Sequence, residues 1–232
     1  MLVVNHTSRE AIEWFEIRED DGNFAARWRG CVVIDEELWI NDVAMFPDGG
    51  FVASHMMPRA IAATLFDRLP NDRVESGYLV EWHADTGWKK IEGTEGALPN
   101  GVQVSADGRV IYNNHYLADQ TVAFDRESGQ RLWTAAIEGA PDNLSITPDG
   151  KLLTSSHLES LRAIRESMLK KDAYSDLRFA VHYLDPADGE VTPVFESSGP
   201  PFGGSTVAVQ AGDTIYLGAF AGNRIGRIAA PK

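Results

Sequence analysis

The sequence feature that most constrains the fold is a hairpin pattern that occurs three times and, in altered form, a fourth. Residues 142–157 read DNLSITPDGKLLTSSH, residues 41–55 read NDVAMFPDGGFVASH, and residues 100–115 read NGVQVSADGRVIYNNH. The fourth copy, residues 205–220, reads STVAVQAGDTIYLGAF and has lost the Asp-Gly order. Alternating apolar residues predict strands, and Asp-Gly between two strands predicts a tight turn.

The spacing of the copies indicates a β-propeller. They start at residues 41, 100, 142 and 205, which is roughly one blade apart when insertions are allowed for. The sequence therefore predicts one all-β propeller domain, residues 1–232, with about four to five blades. The predicted blades are a partial one at residues 1–38 and further ones at residues 39–93, 97–139, 140–199 and 200–232.

The polar residue that opens each copy is a candidate metal ligand. In a propeller the first strand of every blade lines the central channel, so Asn41, Asn100 and Asp142 are expected to form a ring at one mouth. Asp42 and Asn143 lie one step along. A single Asn that opens a strand often only caps it or faces water, but three in one register favour a shared role. Hard oxygen ligands of this kind suit Ca²⁺, which takes about six to eight of them.

Histidines mark the same rim in the predicted structure. His55, His115 and His157 end the second strand of their copies, and His6 ends the first predicted strand. One such histidine is commonly solvated or packed in a core. Four on one side predict that at least one contributes to the site.

Two helices are predicted after second strands, at residues 56–73 and 158–171. Their apolar residues have helical spacing. They pack against blade edges or form a lid that supplies an apolar wall to a substrate pocket. The residues that carry this spacing are Ile61, Leu65, Phe66 and Leu69 in the first, and Leu158, Leu161, Ile164 and Met168 in the second.

Composition narrows the class of partner. The formal net charge of −13 argues against nucleic acid, because a basic surface is needed to meet phosphates. Cys31 is the only cysteine, so neither an intrachain disulfide nor a thiolate metal site is expected. The sequence shows no signal peptide and no stretch of membrane-spanning length, which makes a soluble, cytoplasmic protein the default expectation.

Short motifs in a fixed order resemble the paraoxonase (arylesterase) family. They are LVVNH at residues 2–6, NDVA at 41–44, NGVQVSADG at 100–108, DNLS at 142–145 and GGSTVA at 203–208. Each is weak alone, but their order and spacing are specific and span nearly the whole chain. The resemblance implies a propeller of the six-bladed gluconolactonase and strictosidine-synthase-like type.

The resemblance also implies roles for individual residues. Asn41, Asn100, Asp142 and Asn143 correspond to ligands of a catalytic calcium, and Asp42 to a ligand of a second, structural calcium. His6 corresponds to the outer histidine of a dyad. His157 corresponds to a further histidine of the pocket, which His55, His115 and Phe220 are expected to line.

Departures from the family pattern bear on activity. Relatives carry a further N-terminal part that supplies a Glu ligand and the inner histidine, so this chain is expected to be N-terminally incomplete. Unpaired blade edges then invite self-association. A lost carboxylate should also weaken calcium binding.

The expected function is calcium-dependent hydrolysis of a lactone or aryl ester, with Ca²⁺ polarising the carbonyl and a histidine assisting the attack of water. Two other classes stay open. One is a non-catalytic propeller that binds a ligand at its channel mouth. The other is a metal-free enzyme of the strictosidine-synthase-like type.

Overall fold

The chain folds into five antiparallel sheets, the blades of a β-propeller. The computed structural model describes residues 1–7, 9–60, 75–169 and 174–231. The strands are β1 (Leu2–His6), β2 (Glu10–Asp20), β3 (Asn23–Val33), β4 (Ile40–Met45), β5 (Phe51–His55), β6 (Tyr78–His83), β7 (Gly87–Lys90), β8 (Pro99–Val104), β9 (Val110–His115), β10 (Gln120–Asp125), β11 (Arg131–Ala136), β12 (Ala140–Ile146), β13 (Leu152–His157), β14 (Phe179–Leu184), β15 (Val191–Ser197), β16 (Ser205–Ala211), β17 (Thr214–Ala219) and β18 (Gly226–Ala229).

Each sheet is a simple meander in which consecutive strands are neighbours. The first sheet contains β1 to β3, the second β4 to β7, the third β8 to β11, the fourth β12 to β15, and the fifth β16 to β18. The predicted all-β propeller is thus confirmed. Closure into six blades and an incomplete N-terminus stay predictions.

The Asp-Gly hairpins form as the sequence predicts. Gly108 and Gly150 have φ of 75° and 87°, a region that glycine enters without strain. The amide of Gly150 donates to the carbonyl of Thr147 at 2.9 Å and closes the turn. The Thr147 hydroxyl in turn donates to the carboxylate of Asp149 at 2.6 Å. Local chemistry therefore fixes the register of these hairpins.

Hydrophobic cores lie between consecutive sheets. Phe46 and Leu79 of the second sheet share a core with Ile111 and Phe124 of the third. Similar clusters join the first sheet to the second, the third to the fourth, and the fourth to the fifth. Each fully buried side chain of this size contributes roughly 1.5–3 kcal/mol. Packing between neighbours therefore holds the blades in sequence order.

The first strands of the second to fifth sheets, β4, β8, β12 and β16, are the inner strands. Their contacts run from one to the next. The amide of Val102 donates to the carboxylate of Asp42 at 2.9 Å, and the side chain of Gln103 donates to the carbonyl of Leu144 at 3.2 Å. The hydroxyl of Ser145 donates to the carbonyl of Ala208 at 2.7 Å. The four strands therefore follow one another around a common axis.

Of the two predicted helices, the second is present as α1 (Leu161–Leu169), which begins three residues later than predicted. Its buried residues are Ile164 and Ser167, whereas Met168, which carries the predicted apolar spacing, is 49% exposed. The first predicted helix falls mainly on residues 61–74, outside the described residues. No described helix is long and apolar enough to cross a bilayer.

Candidate functional site

Every inner strand contains the same irregularity, a β-bulge at its start. Pairing with the second strand skips from Ile40 to Val43 in β4 and from Pro99 to Val102 in β8. Pairing skips two residues in the same way within β12 and one residue, Thr206, within β16. A bulge leaves its residues unpaired and turns the strand, which is why bulges recur beside active sites. The bulged residues are Asn41, Asp42, Asn100, Gly101, Asp142, Asn143 and Thr206.

Two carboxylates lie close together among these bulges. Burial raises the pKa of Asp42 to about 6. The pKa of Asp142 rises to about 8, because of burial and then of the negative charge of Asp42. Both residues keep some accessible surface, but protein atoms surround their carboxylates on most sides. Two acidic groups that are hard to ionise together form a site that a cation would stabilise.

The neighbouring amides direct their N–H groups to protein acceptors. Asn143 donates to the carboxylate of Asp142 at 3.2 Å and to the carbonyl of Thr206 at 3.0 Å. Asn41 donates to the sulfur of Met56 at 3.4 Å. The side-chain oxygen of Asn100 is buried without a hydrogen-bond partner. An orphaned buried oxygen requires an explanation, and a cation is one.

This donor set fits calcium better than softer metals. Amide and carboxylate oxygens are ligands of Ca²⁺, whereas zinc sites use histidine and cysteine. Among the described residues, no group of three or more His, Cys, Asp or Glu could hold a metal. A metal here would therefore depend on the asparagine oxygens. The carboxylate of Asp42 also accepts hydrogen bonds from the backbone amides of Val43 and Val102, at 2.8 and 2.9 Å. These bonds occupy part of its ability to coordinate a cation.

Polar residues of the second strands support the bulges, and the sequence reasoning missed them. Asn114 donates to the carbonyl of Asp142 at 2.7 Å and to the hydroxyl of Thr154 at 2.9 Å. Asn113 donates to the carbonyls of Asn100 and Gly101 at 3.2 and 3.0 Å. The only sequence signal is that these asparagines interrupt an apolar strand. They satisfy backbone groups that the bulges would leave unpaired.

Gly101 lets the third and fourth sheets approach closely at the site. A Cβ atom there would meet the backbone of Asp142, Asn143 and Leu144. A larger residue would therefore push the two bulges apart.

The strand pairing places three of the predicted histidines at the rim of the site. His55 pairs with Ile40, His115 with Pro99, and His157 with Ala140. Each pairing partner lies one or two residues before a candidate ligand. All three histidines are at most 2% exposed.

The contacts of these histidines differ. The amide of Trp39 donates to Nδ1 of His55 at 3.0 Å, and burial lowers the pKa of His55 to about 4. Nδ1 of His115 lies 3.2 Å from the side-chain nitrogen of Gln120. Nδ1 of His157 lies 2.8 Å from the hydroxyl of Tyr116. Nε2 has no partner in either His115 or His157.

An apolar cluster surrounds His157. The imidazole makes edge contacts with the rings of Tyr116 and Phe220, each at 5.9 Å between centroids. The cluster also includes residues of α1 and of the loops beside the rim. We call it the mouth cluster; its buried members are Met57, Leu98, Tyr116, Ala140, Ile164 and Leu177, with Trp39, Met56, Leu117, Leu161, Ala163 and Phe220 packed against them.

His6 has a different environment from the other rim histidines. It is exposed at the end of β1, and its Nδ1 lies 2.7 Å from the carboxylate of Glu10. Arg59 also bonds Glu10, at 3.0 Å. The pKa of Glu10 is lowered, first by Arg59 and also by His6. An ionised carboxylate only accepts hydrogen bonds, so Nδ1 of His6 donates to Glu10.

Solved structures share this fold. Virginiamycin B lyase from Staphylococcus aureus is 12% identical, with a TM-score of 0.57 over 99% of this chain. A gluconolactonase from Xanthomonas campestris is 17% identical, with a TM-score of 0.55 over 99% of this chain and 71% of its own. A hydrazine synthase from Kuenenia stuttgartiensis is 16% identical, with a TM-score of 0.52 over 81% of this chain. This chain spans 66% of the lyase and 45% of the synthase.

Sequence comparison gives the family. No curated protein matches the chain. The family model named Arylesterase matches residues 1–224, which include every described strand except β18. The chain therefore belongs to the arylesterase family.

Proposed function

We propose that this protein is a calcium-dependent hydrolase of lactones or aryl esters. The observation that carries the proposal is the repeated bulge, which leaves Asn and Asp residues unpaired at the start of three consecutive inner strands. Two of these residues, Asp42 and Asp142, are near enough for the charge of Asp42 to raise the pKa of Asp142. Membership of the arylesterase family and the likeness to a gluconolactonase fold support this reaction class.

Asn41, Asn100, Asp142 and Asn143 are the residues that would hold the catalytic ion. Asp42 would contribute to a second, structural ion. Bound calcium would polarise the ester carbonyl and stabilise the oxyanion. The protein itself would hold these oxygens in place before the ion binds. The side-chain amide of Asn143 donates a hydrogen bond to the carbonyl of Thr206, and Asn113 and Asn114 donate hydrogen bonds to backbone carbonyls of the bulges.

The histidines are the candidates for proton transfer and for contacts with the substrate. His6, exposed at the end of β1 and with its Nδ1 held by Glu10, suits the role of general base that takes a proton from water. The mouth cluster would bind the apolar part of the substrate and exclude bulk water around His157. Because His157 is 1% exposed, substrate must displace part of this cluster to reach it.

Hydrolysis of phenyl acetate and of a γ-lactone, with calcium and with a chelator, tests the proposal. We expect activity that the chelator removes and added calcium restores. Asn100→Ala should lower kcat/KM by about 10²-fold or more, since losing one oxyanion-stabilising donor already has an effect of that size. The matched control is Asp213→Asn, an exposed turn residue on the fifth sheet, which should leave activity unchanged.

The outcomes separate the function classes. Calcium binding without hydrolysis would indicate the non-catalytic binding module. Hydrolysis that the chelator does not reduce would indicate a metal-free enzyme and would overturn the assignment of the bulged residues as calcium ligands.

A further inference from the structure

The contact between Tyr116 and His157 is not needed for the proposed roles of calcium and of His6 in hydrolysis. Tyr116 lies in a single turn of 3₁₀ helix (Tyr116–Ala118) directly after β9, and its side chain reaches across to β13. Both residues are buried, at 6% and 1% exposure. The hydroxyl oxygen and Nδ1 are 2.8 Å apart, a good hydrogen-bond distance.

The direction of this hydrogen bond follows from the available acceptors. Burial raises the pKa of Tyr116 well above its ordinary value, so the phenol keeps its proton. Among the described residues, Nδ1 of His157 is the acceptor within reach of that proton. The phenol therefore donates, and Nδ1 accepts. Burial also lowers the pKa of His157, so the ring is neutral near pH 7 and its one proton is on Nε2.

The Nε2 proton is the unusual feature of this pair. Nε2 is buried and has no hydrogen-bond partner, although the backbone of Gly204 lies close enough to the ring to oppose part of the effect of burial on its pKa. It is enclosed by the mouth cluster, with Phe220 on one side. A buried donor without a well-formed hydrogen bond lowers the stability of the fold. A ligand oxygen that enters the cluster would satisfy it.

We propose that Tyr116 is a positioning residue that holds His157 as a neutral imidazole protonated on Nε2, so that His157 donates a hydrogen bond to a substrate oxygen. His157 is then a donor to an ester or lactone oxygen and not the base that activates water. The assignment of the acceptor rests on the proposed hydrolase function, whereas the tautomer does not.

Nitrogen NMR of the histidine rings tests the tautomer without any turnover. Long-range nitrogen–proton correlations distinguish a ring protonated on Nε2 from one protonated on Nδ1. We expect His157 to show the Nε2–H pattern at pH 7, and Tyr116→Phe to mix the two tautomers. Wild-type His157 protonated on Nδ1, or a pattern unchanged by Tyr116→Phe, would overturn the proposal. If Tyr116→Phe fails to fold, the wild-type pattern alone decides.

Substitutions of His157 test its role as donor. Glutamine places an N–H near the position of Nε2 but cannot take up a proton, so His157→Gln should stay within about tenfold of the wild-type kcat, while His157→Ala should lose about 10²-fold. Tyr116→Phe should lower kcat about tenfold with little change in KM. The matched control is Tyr112→Phe, at a buried tyrosine within β9, which should change neither kcat nor KM. Equal losses in His157→Gln and His157→Ala would contradict the donor role. If neither the wild-type protein nor any variant hydrolyses an ester, the proposed hydrolase function is wrong. The NMR result still decides which nitrogen of His157 carries the proton.

Discussion

At the scale of single residues, burial determines which rim histidine can carry a charge. His115 is 1% exposed and lies against the ring of Phe124. Its pKa falls to about 4, first because of burial and then because of the positive charge of Arg131. His6, which also ends a strand but is exposed, pairs instead with a carboxylate. Histidines at strand ends in this fold therefore differ in their chemistry.

The low pKa of His115 predicts an acid-sensitive fold. Between about pH 6.5 and pH 4 the unfolded chain binds a proton on this histidine that the folded chain does not bind, so stability is lost as pH falls through this window. His115→Gln should reduce the fall in Tm between pH 7 and pH 4.5. Thermal unfolding of both proteins at several pH values between 7 and 4.5 measures this difference in Tm. His6→Gln is the control, and an equal change in its pH slope would contradict the explanation.

The sequence was enough to predict which residues lie near the candidate site, but not how their side chains are oriented. The register of the repeat was enough to predict that Asn41, Asn100 and Asp142 begin inner strands and that His157 lies at the rim. Tyr116 could not be found in this way, because its partner is 41 positions away and the contact forms only after two sheets pack. The proton positions on His6 and His157 likewise depend on Glu10 and Tyr116, which have no sequence relation to the repeat.

At the scale of elements, the bulge is the unit that builds the site. The alternation of apolar residues predicts regular strands, and it gives no sign that residues at the start of each inner strand leave the pairing pattern, two in β4, β8 and β12 and one in β16. The bulge depends on groups in the second strand and in the next sheet. Asn114, for example, joins the backbone of Asp142 to Thr154 and accepts from the hydroxyl of Thr121.

Asn114 should therefore affect both stability and the metal site. Asn114→Ala leaves the carbonyl of Asp142 and the hydroxyl of Thr121 without this partner in a buried place, which should lower stability by about 2–3 kcal/mol. Tm should fall by about 5–10 °C. Calcium affinity should also fall, because Asp142 is less firmly placed. Thermal unfolding and calcium titration measure the two effects. Asn223→Ala, in an exposed turn, is the control, and a similar loss there would contradict the role of Asn114.

At the scale of the whole molecule, the sheets are held in sequence order mainly by apolar packing between neighbours. The four clusters between consecutive sheets need only apolar residues of suitable size, which explains how the fold persists in structures that are 12–17% identical. The inner ends of the sheets are different. There the contacts are polar, and two carboxylates with raised pKa values lie where the second, third and fourth sheets meet. The fold was thus predictable from the repeat, while the stability of its centre depends on what neutralises these charges.

Calcium should accordingly stabilise the whole propeller and not one loop. The proposed ligands come from three sheets, so an ion bound only to the folded state would tie β4, β8 and β12 together. At a calcium concentration 100 times the Kd, stability should rise by about 2.7 kcal/mol. Tm should rise by about 5–10 °C. Asp142→Asn should lose most of this shift, and Asp213→Asn should keep it.

Hydrogen exchange tells how far the effect extends. Calcium should slow exchange of the backbone amides in all three inner strands, including that of Val102, which already bonds Asp42. Protection confined to one sheet would mean that the ion binds at a single hairpin. Equal protection by Mg²⁺ would also contradict the site, because Mg²⁺ requires near-octahedral geometry and dehydrates reluctantly, whereas several amide oxygens from separate sheets suit the looser coordination of calcium.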